Sequence, residues 1–147
     1  MKKVQLITDG ACIGNPGDGG WAAILRYGDR TREMFGWAPD TTNNRMELTA
    51  AIQGLRALKE PCEVEIVTDS EYVKNGITEW IHDWKRKNWL KSDKKPVRNS
   101  DLWRELDAEV SRHKTHWVWT RGHAFHDDNN RADELANMAA REQRASG

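Results

Sequence analysis

Two apolar runs in this chain end in the same pair of residues. Val4-Gln-Leu-Ile-Thr8 leads into Asp9, and Val64-Glu-Ile-Val-Thr68 leads into Asp69. An acid at the mouth of a strand can simply cap a turn. If the two strands are parallel neighbours, however, their ends place both carboxylates at one edge of a sheet. Like charges held together raise each other's energy unless a proton or a cation intervenes. Oxygen-only donors select a hard divalent cation, Mg²⁺ or Mn²⁺, over a thiolate-preferring metal. Glu47 stands beside the apolar stripe of a helix, where a capping box formed with Asn44 explains it equally well. Asp133 falls early in the last helix, where the helix dipole alone favours an acid. Four such acids can bind two metal ions if they converge, and spacing alone does not decide that.

The elements that must carry these residues follow from periodicity. Val4–Thr8 reads as a first strand, followed by a glycine-rich turn region from Gly10 to Gly20. Trp21–Tyr27 and Thr31–Ala38 read as a hairpin around Gly28-Asp29. Leu48, Ala51, Ile52, Leu55 and Leu58 recur at helical spacing, and Pro61 stops that helix. Glu63–Thr68 is a fourth strand. Glu71–Trp89 suggests two short helices broken near Gly76. Ser100 caps a helix with an apolar stripe of Leu102, Trp103, Leu106 and Val110. Thr115–Thr120 is a fifth strand, and a loop from Arg121 to Asn130 leads to a final helix facing inward through Ala132, Leu135, Ala136 and Ala139. Three strands, helix, strand, helices, strand, helix imply an α/β fold with helices packed on a mixed sheet.

Composition narrows the class. The chain has 147 residues with 23 basic and 23 acidic side chains, 37% hydrophobic residues and four prolines, which excludes a disordered tail. That length suits one domain spanning 1–147. Cys12 and Cys62 form neither a disulfide framework nor a CxxC site, which fits a reducing, cytoplasmic setting. No signal peptide opens the chain and no stretch approaches a membrane span, so no membrane partner is expected. The zero net charge conceals an asymmetry. Residues 85–98 carry seven Lys/Arg against one Asp, a local excess of +6 that the rest of the chain balances.

The ordered set of motifs is more specific than any one of them. Thr8-Asp-Gly-Ala-Cys-Ile-Gly-Asn-Pro-Gly17, Thr41-Thr-Asn-Asn-Arg-Met-Glu-Leu48, Val67-Thr-Asp-Ser70, and Gly122-His-Ala with Asn130-Arg-Ala-Asp-Glu-Leu135 resemble bacterial ribonuclease HI, a type 1 ribonuclease H family, essentially end to end. The lysine-rich Trp84–Trp103 region is similar to that family's basic protrusion, here around 80–99. The resemblance implies a ribonuclease H-like, five-stranded mixed sheet with its first three strands antiparallel, flanked by helices. It also implies endonucleolytic hydrolysis of the RNA strand of an RNA–DNA hybrid, leaving 5′-phosphate and 3′-hydroxyl ends. Asp9, Glu47, Asp69 and Asp133 then correspond to the carboxylates that hold two Mg²⁺ ions (Mn²⁺ as a substitute), and His123 to the histidine of the mobile loop. Phe125 occupies a loop place often taken by a smaller residue. The partner implied is the hybrid alone, with the protein a monomer.

Hybrid recognition requires contacts to 2′-hydroxyls and to groove shape as well as charge. By the resemblance, Asn15 and Asn44 face the RNA strand, while Thr42 and Asn43 hold phosphate on the DNA side. Taken alone, Asn15-Pro-Gly17 is an ordinary turn and Thr41–Asn44 a helix start. Lys85, Arg86, Lys87, Lys91, Lys94 and Lys95, interleaved with Trp84 and Trp89, form a candidate phosphate-binding surface, or a solvated face. Trp80 and Trp84 have helical spacing and serve either packing or nucleic-acid contact. A zinc site from His116, His123 and His126 is disfavoured, since cysteines are missing from the pattern and acids abound. A noncatalytic hybrid-binding module and a transposase or integrase core compete with the nuclease. The intact acids argue against the first, and the compact chain with its His123 loop argues against the second. A P-loop reading fails because Gly14–Gly20 lacks the Gly-Lys-Ser/Thr ending.

Overall fold

The computed structural model describes residues 1–120 and 127–146. Five strands are present: β1 (Lys2–Ile13), β2 (Gly17–Tyr27), β3 (Arg30–Thr41), β4 (Cys62–Thr68) and β5 (Lys114–Trp119). They form one sheet in the order β3-β2-β1-β4-β5. β1 pairs antiparallel with β2 and β2 with β3, whereas β4 runs parallel to β1, and β5 to β4. The five-stranded mixed sheet with an antiparallel first half is therefore borne out. The helices are α1 (Asn43–Arg56), α2 (Glu71–Asn75), α3 (Ile81–Arg86), α4 (Ser100–Ser111) and α5 (Asp127–Glu142).

Period-two alternation in β1 feeds two cores, one on each sheet face. Val4 and Leu6 join Leu48, Ile52 and Leu55 of α1, together with Val73, Ile77, Trp103 and Leu106. Ile7 and Ala11 turn the other way, toward Ala132, Leu135 and Ala136 of α5. Trp103 is wholly buried, and truncating such a residue to alanine costs about 3–5 kcal/mol. α5 lies close on the sheet because position 20 has no side chain: a Cβ on Gly20 would stand 2.7 Å from the Ala140 nitrogen. Among the described residues, no helix is long and apolar enough to cross a membrane.

The structure corrects five local expectations. β1 does not end at Asp9 but continues to Ile13, because its antiparallel partner β2 extends to Gly17, so Asp9 sits inside the strand opposite Ala22. α1 is capped by Thr42, whose hydroxyl accepts from the Arg45 N–H at 3.2 Å, so no box between Asn44 and Glu47 starts the helix. Its last residue is Arg56, leaving Leu58 beyond the end. The chain does not break at Gly76. It stays in helical dihedrals through a π-turn, Gly76–Trp80, that joins α2 to α3, since Gly76 itself adopts φ −61°, ψ −49°. Finally, the residue before α4 is Asn99, not Ser100, and its side chain makes no capping hydrogen bond.

Candidate metal centre and nucleic-acid interface

Strand register brings the first two acids together. β1 and β4 run in parallel register from Lys2↔Cys62 to Ile7↔Val67. Continuing that register by two residues sets Asp9 level with Asp69, just past the end of β4. The hydroxyl of Thr68 accepts from the Ser70 N–H, and Ser70 caps α2 through Val73, which fixes the turn carrying Asp69. Trp119 of β5 donates its indole N–H to the Asp69 carbonyl oxygen at 3.1 Å.

The third acid arrives because position 10 has no side chain. A Cβ on Gly10 would stand 2.6 Å from the Glu47 nitrogen and 2.7 Å from the Met46 carbonyl carbon, so the first turn of α1 rests directly on β1. Ligand oxygens of Asp9, Glu47 and Asp69 all lie within 4.8 Å of one another. Asp9 and Glu47 are each only 5% exposed. The convergence that spacing left open is thus present for these three. Asp133 of α5 approaches Asp9 from the other helix layer, within reach of a hydrogen bond that two carboxyls make only by sharing a proton. Its Oδ1 also accepts from Asn137 Nδ2 at 3.1 Å.

The electrostatics match the geometry. Burial, then Asp69 and Asp133, pushes the Asp9 carboxyl from the ordinary 3.8 up to about 8. Burial also drives Glu47 well above 4.5, with Asp9 and Asp69 adding to it. The Gly10 N–H opposes both shifts weakly by favouring the charged forms. Asp9 Oδ2, Glu47 Oε1 and Asp69 Oδ1 are buried oxygens with no hydrogen-bond partner. Three carboxylates that converge, each with a buried oxygen lacking a hydrogen-bond partner, fit a hard divalent cation better than a thiolate-preferring one.

Around this centre, Asn15 Oδ1 accepts from the Asn43 N–H at 3.1 Å, tying the β1–β2 turn to the start of α1. That bond places Asn15, Thr42, Asn43 and Asn44 on one contiguous surface, with Asn44 exposed. The cations of the protrusion all face solvent. Lys85 pairs with Asp107 at 3.3 Å and Arg86 with Asp83, while Lys91 reaches Asp93 only at 3.9 Å. Among the described residues, Lys87, Lys94 and Lys95 have no ion pair. Trp84 is built into an aromatic stack, 5.2 Å from Trp103 and 6.3 Å from Trp89 between ring centroids. Trp80 edges that stack and keeps 39% of its surface exposed. His123, Phe125 and His126 lie outside the described residues. His116 is exposed, with its Nε2 3.3 Å from a Glu63 carboxylate oxygen.

Sequence reasoning did not single out Gly10, Arg45 or Trp119. Gly10 carried a signal, a glycine directly after a strand carboxylate. Trp119 carried none, since its donor meets a backbone carbonyl set by the fold.

A profile of the RNase H family matches residues 1–141. A ribonuclease H from Solibacter usitatus (strain Ellin6076) is 66% identical over 146 residues, covering 99% of this chain and all of its own length. One from Marinobacter nauticus (strain ATCC 700491 / DSM 11845 / VT8) is 61% identical over 140 residues, 95% of each chain. Among solved structures, LC9-RNase H1, described as a type 1 RNase H with the type 2 active-site motif, superposes with a TM-score of 0.89 at 33% identity. That match covers 99% of this chain and 75% of the other.

Proposed function

This chain belongs to the RNase H family, type 1, and from that membership we propose that it hydrolyses the RNA strand of RNA–DNA hybrids endonucleolytically at the Asp9–Glu47–Asp69–Asp133 centre. The observation that carries the reading is the convergence of Asp9, Glu47 and Asp69, whose ligand oxygens lie within 4.8 Å of one another and each of which also has a buried oxygen without a hydrogen-bond partner. Two divalent ions bound there with substrate would supply a water of lowered pKa and offset negative charge on the leaving 3′ oxygen. Asp9, projecting from the interior of β1 opposite Ala22, would serve both ions. Glu47 and Asp69 would complete the environment of one, and Asp133 would help hold the other. The products are a 5′-phosphate and a 3′-hydroxyl. His123, assigned by family resemblance, moves a proton at that site or aids product departure.

On the substrate side, Asn15 and Asn44 contact the RNA strand while Thr42 and Asn43 hold DNA phosphate. The protrusion's Lys85, Arg86, Lys87, Lys91, Lys94 and Lys95, with Trp80 and Trp84, grip the duplex further along. Concentrated cations, three of these six without an ion pair among the described residues, repel one another, and a polyanion relieves that repulsion. The deciding experiment offers RNA–DNA hybrid, double-stranded RNA, double-stranded DNA and single-stranded RNA, with Mg²⁺, with Mn²⁺ and with EDTA. Cleavage confined to the hybrid and abolished by EDTA is expected. Cleavage that survives EDTA, or that falls equally on all four substrates, overturns the proposal.

A further inference from the structure

A chain of polar contacts connects the protrusion to α1, which carries Glu47, and to α2, which directly follows the turn bearing Asp69. Arg45, two residues before Glu47 on α1, makes a bidentate pair with Asp101 at the start of α4, 3.0 Å and 2.7 Å. The same guanidinium donates to Asn99 Oδ1 at 3.2 Å. Asn99 Nδ2 in turn donates to Tyr72 Oη at 3.1 Å, and Tyr72 lies three residues after Asp69, on α2. Trp103 Nε1, from the buried indole under the protrusion, donates to that same Oη at 3.1 Å. Asn99 is the last residue of the protrusion, so its amide joins α1 at one end and α2 at the other.

Asn99 holds this place at a local cost. It adopts a left-handed conformation, φ 61°, which non-glycine residues occupy seldom. It precedes α4 in the capping position, where asparagine is among the best caps, yet its side chain caps nothing. Both ends of the amide are spent on the bridge instead. The Arg45–Asp101 pair is half-exposed, and such pairs add little to global stability. What a planar, two-pronged pair does fix is distance and orientation.

We propose that the Arg45–Asp101–Asn99–Tyr72 bridge is a positioning device that sets the separation between the cationic protrusion and the carboxylate centre, and so selects duplexes whose backbones can reach both. The inference rests on the functional reading above and adds residues to it that contact neither metal nor substrate. A hybrid seated on Thr42 and Asn43 at the start of α1 also meets Lys85–Lys87 only if that span is held. Loosening the bridge leaves the carboxylates, clamped by sheet register and Gly10, where they are. It frees the protrusion to sample other spacings, which weakens binding and blunts the preference for hybrid over other duplexes.

The test uses Arg45→Gln, Asp101→Asn and the charge swap Arg45→Glu/Asp101→Arg in the full chain. Affinity for a fluorescent RNA–DNA hybrid is measured by anisotropy in EDTA across salt, with double-stranded RNA and DNA as competitors. Cleavage kinetics follow in Mg²⁺. Each single variant is expected to keep its fold by circular dichroism and to raise KM about tenfold, with kcat within about twofold. A shallower salt slope and a reduced hybrid preference accompany this, and the swap, which re-forms the ion pair but leaves Asn99 Oδ1 without its Arg45 donor, restores part of both. If wild type binds and cleaves the hybrid while folded variants keep its KM, salt slope and preference, the positioning role is wrong and the nuclease reading stands. A fall in kcat with KM unchanged also overturns it, since the bridge then acts on the metal centre alone. Wild type that neither binds nor cleaves the hybrid overturns both.

Discussion

Replacing Asp9 with asparagine should stabilise the metal-free protein while abolishing its activity. Asparagine keeps the shape of the side chain and an oxygen for the Gly10 N–H, but cannot ionise. The Asp9 carboxyl is held at about 8 against an ordinary 3.8, so at pH 7 the folded protein retains a proton that the unfolded chain releases. At about 1.36 kcal/mol per pH unit, that difference disfavours folding by roughly 4 kcal/mol at pH 7 and between about 1 and 2 kcal/mol at pH 5. Coulomb's law gives a comparable size. Two charges 4.8 Å apart repel by about 3.5 kcal/mol at an effective dielectric of about 20. Because the folded-state value lies above the unfolded one, the relative stability is fully present below pH about 4 and is lost as pH rises toward about 8. Allowing for relaxation, Asp9→Asn should gain about 2–4 kcal/mol at pH 7. With an unfolding entropy of roughly 0.3 kcal/mol/K for 147 residues, Tm rises by about 7–13 °C. Thermal melts in EDTA at pH 5, 7 and 8, repeated in Mg²⁺, measure it. The gain should grow from pH 5 to 8 and shrink in Mg²⁺, where only wild type gains the binding energy of the ion. A variant that melts below wild type in EDTA at pH 7, or whose gain is the same at pH 5 and 8, refutes the strained carboxylate cluster.

Other outcomes follow from the same geometry. Mg²⁺ binding to wild type should displace the proton that Asp9 retains, so affinity rises with pH up to about 8, and calorimetry in buffers of different ionisation enthalpy should detect the release. Gly10→Ala should force α1 off β1, lowering stability by about 1–3 kcal/mol and weakening Mg²⁺ binding, as read by melts and titration calorimetry. Neutralising Lys85, Arg86 and Lys87 together should reduce the slope of log affinity against log salt by about 2–3 while leaving kcat at saturating hybrid near wild type. Trp119→Phe removes the donor to the Asp69 carbonyl and should lower apparent Mg²⁺ affinity severalfold, a change visible in metal titrations of folded protein.

The sequence by itself determined the element order and the identity of the acids, because alternation and helical spacing are written in neighbouring residues, whereas the parallel pairing of the two runs that end in Thr-Asp came from the fold. Family resemblance supplied the sheet's first three antiparallel strands and the role of each acid. Element ends escaped the sequence because they depend on partners. β1 runs past Asp9 only because β2 extends beside it, and Glu47 leaves the capping box only because Thr42 caps α1 first. Local spacing left the aromatic protrusion open between packing and contact. The structure stacks Trp84 on Trp103 and leaves Trp80 at the edge of that stack with 39% of its surface exposed, a difference between two residues on one helical path that spacing did not show. What only the tertiary structure decided is distance. Carboxylates at positions 9, 47 and 69 lie far apart along the chain, and their meeting within 4.8 Å depends on strand register and on the missing Cβ at Gly10. The Arg45 bridge is likewise a product of packing, since an arginine and an aspartate 56 residues apart become partners only once α1 and α4 lie side by side.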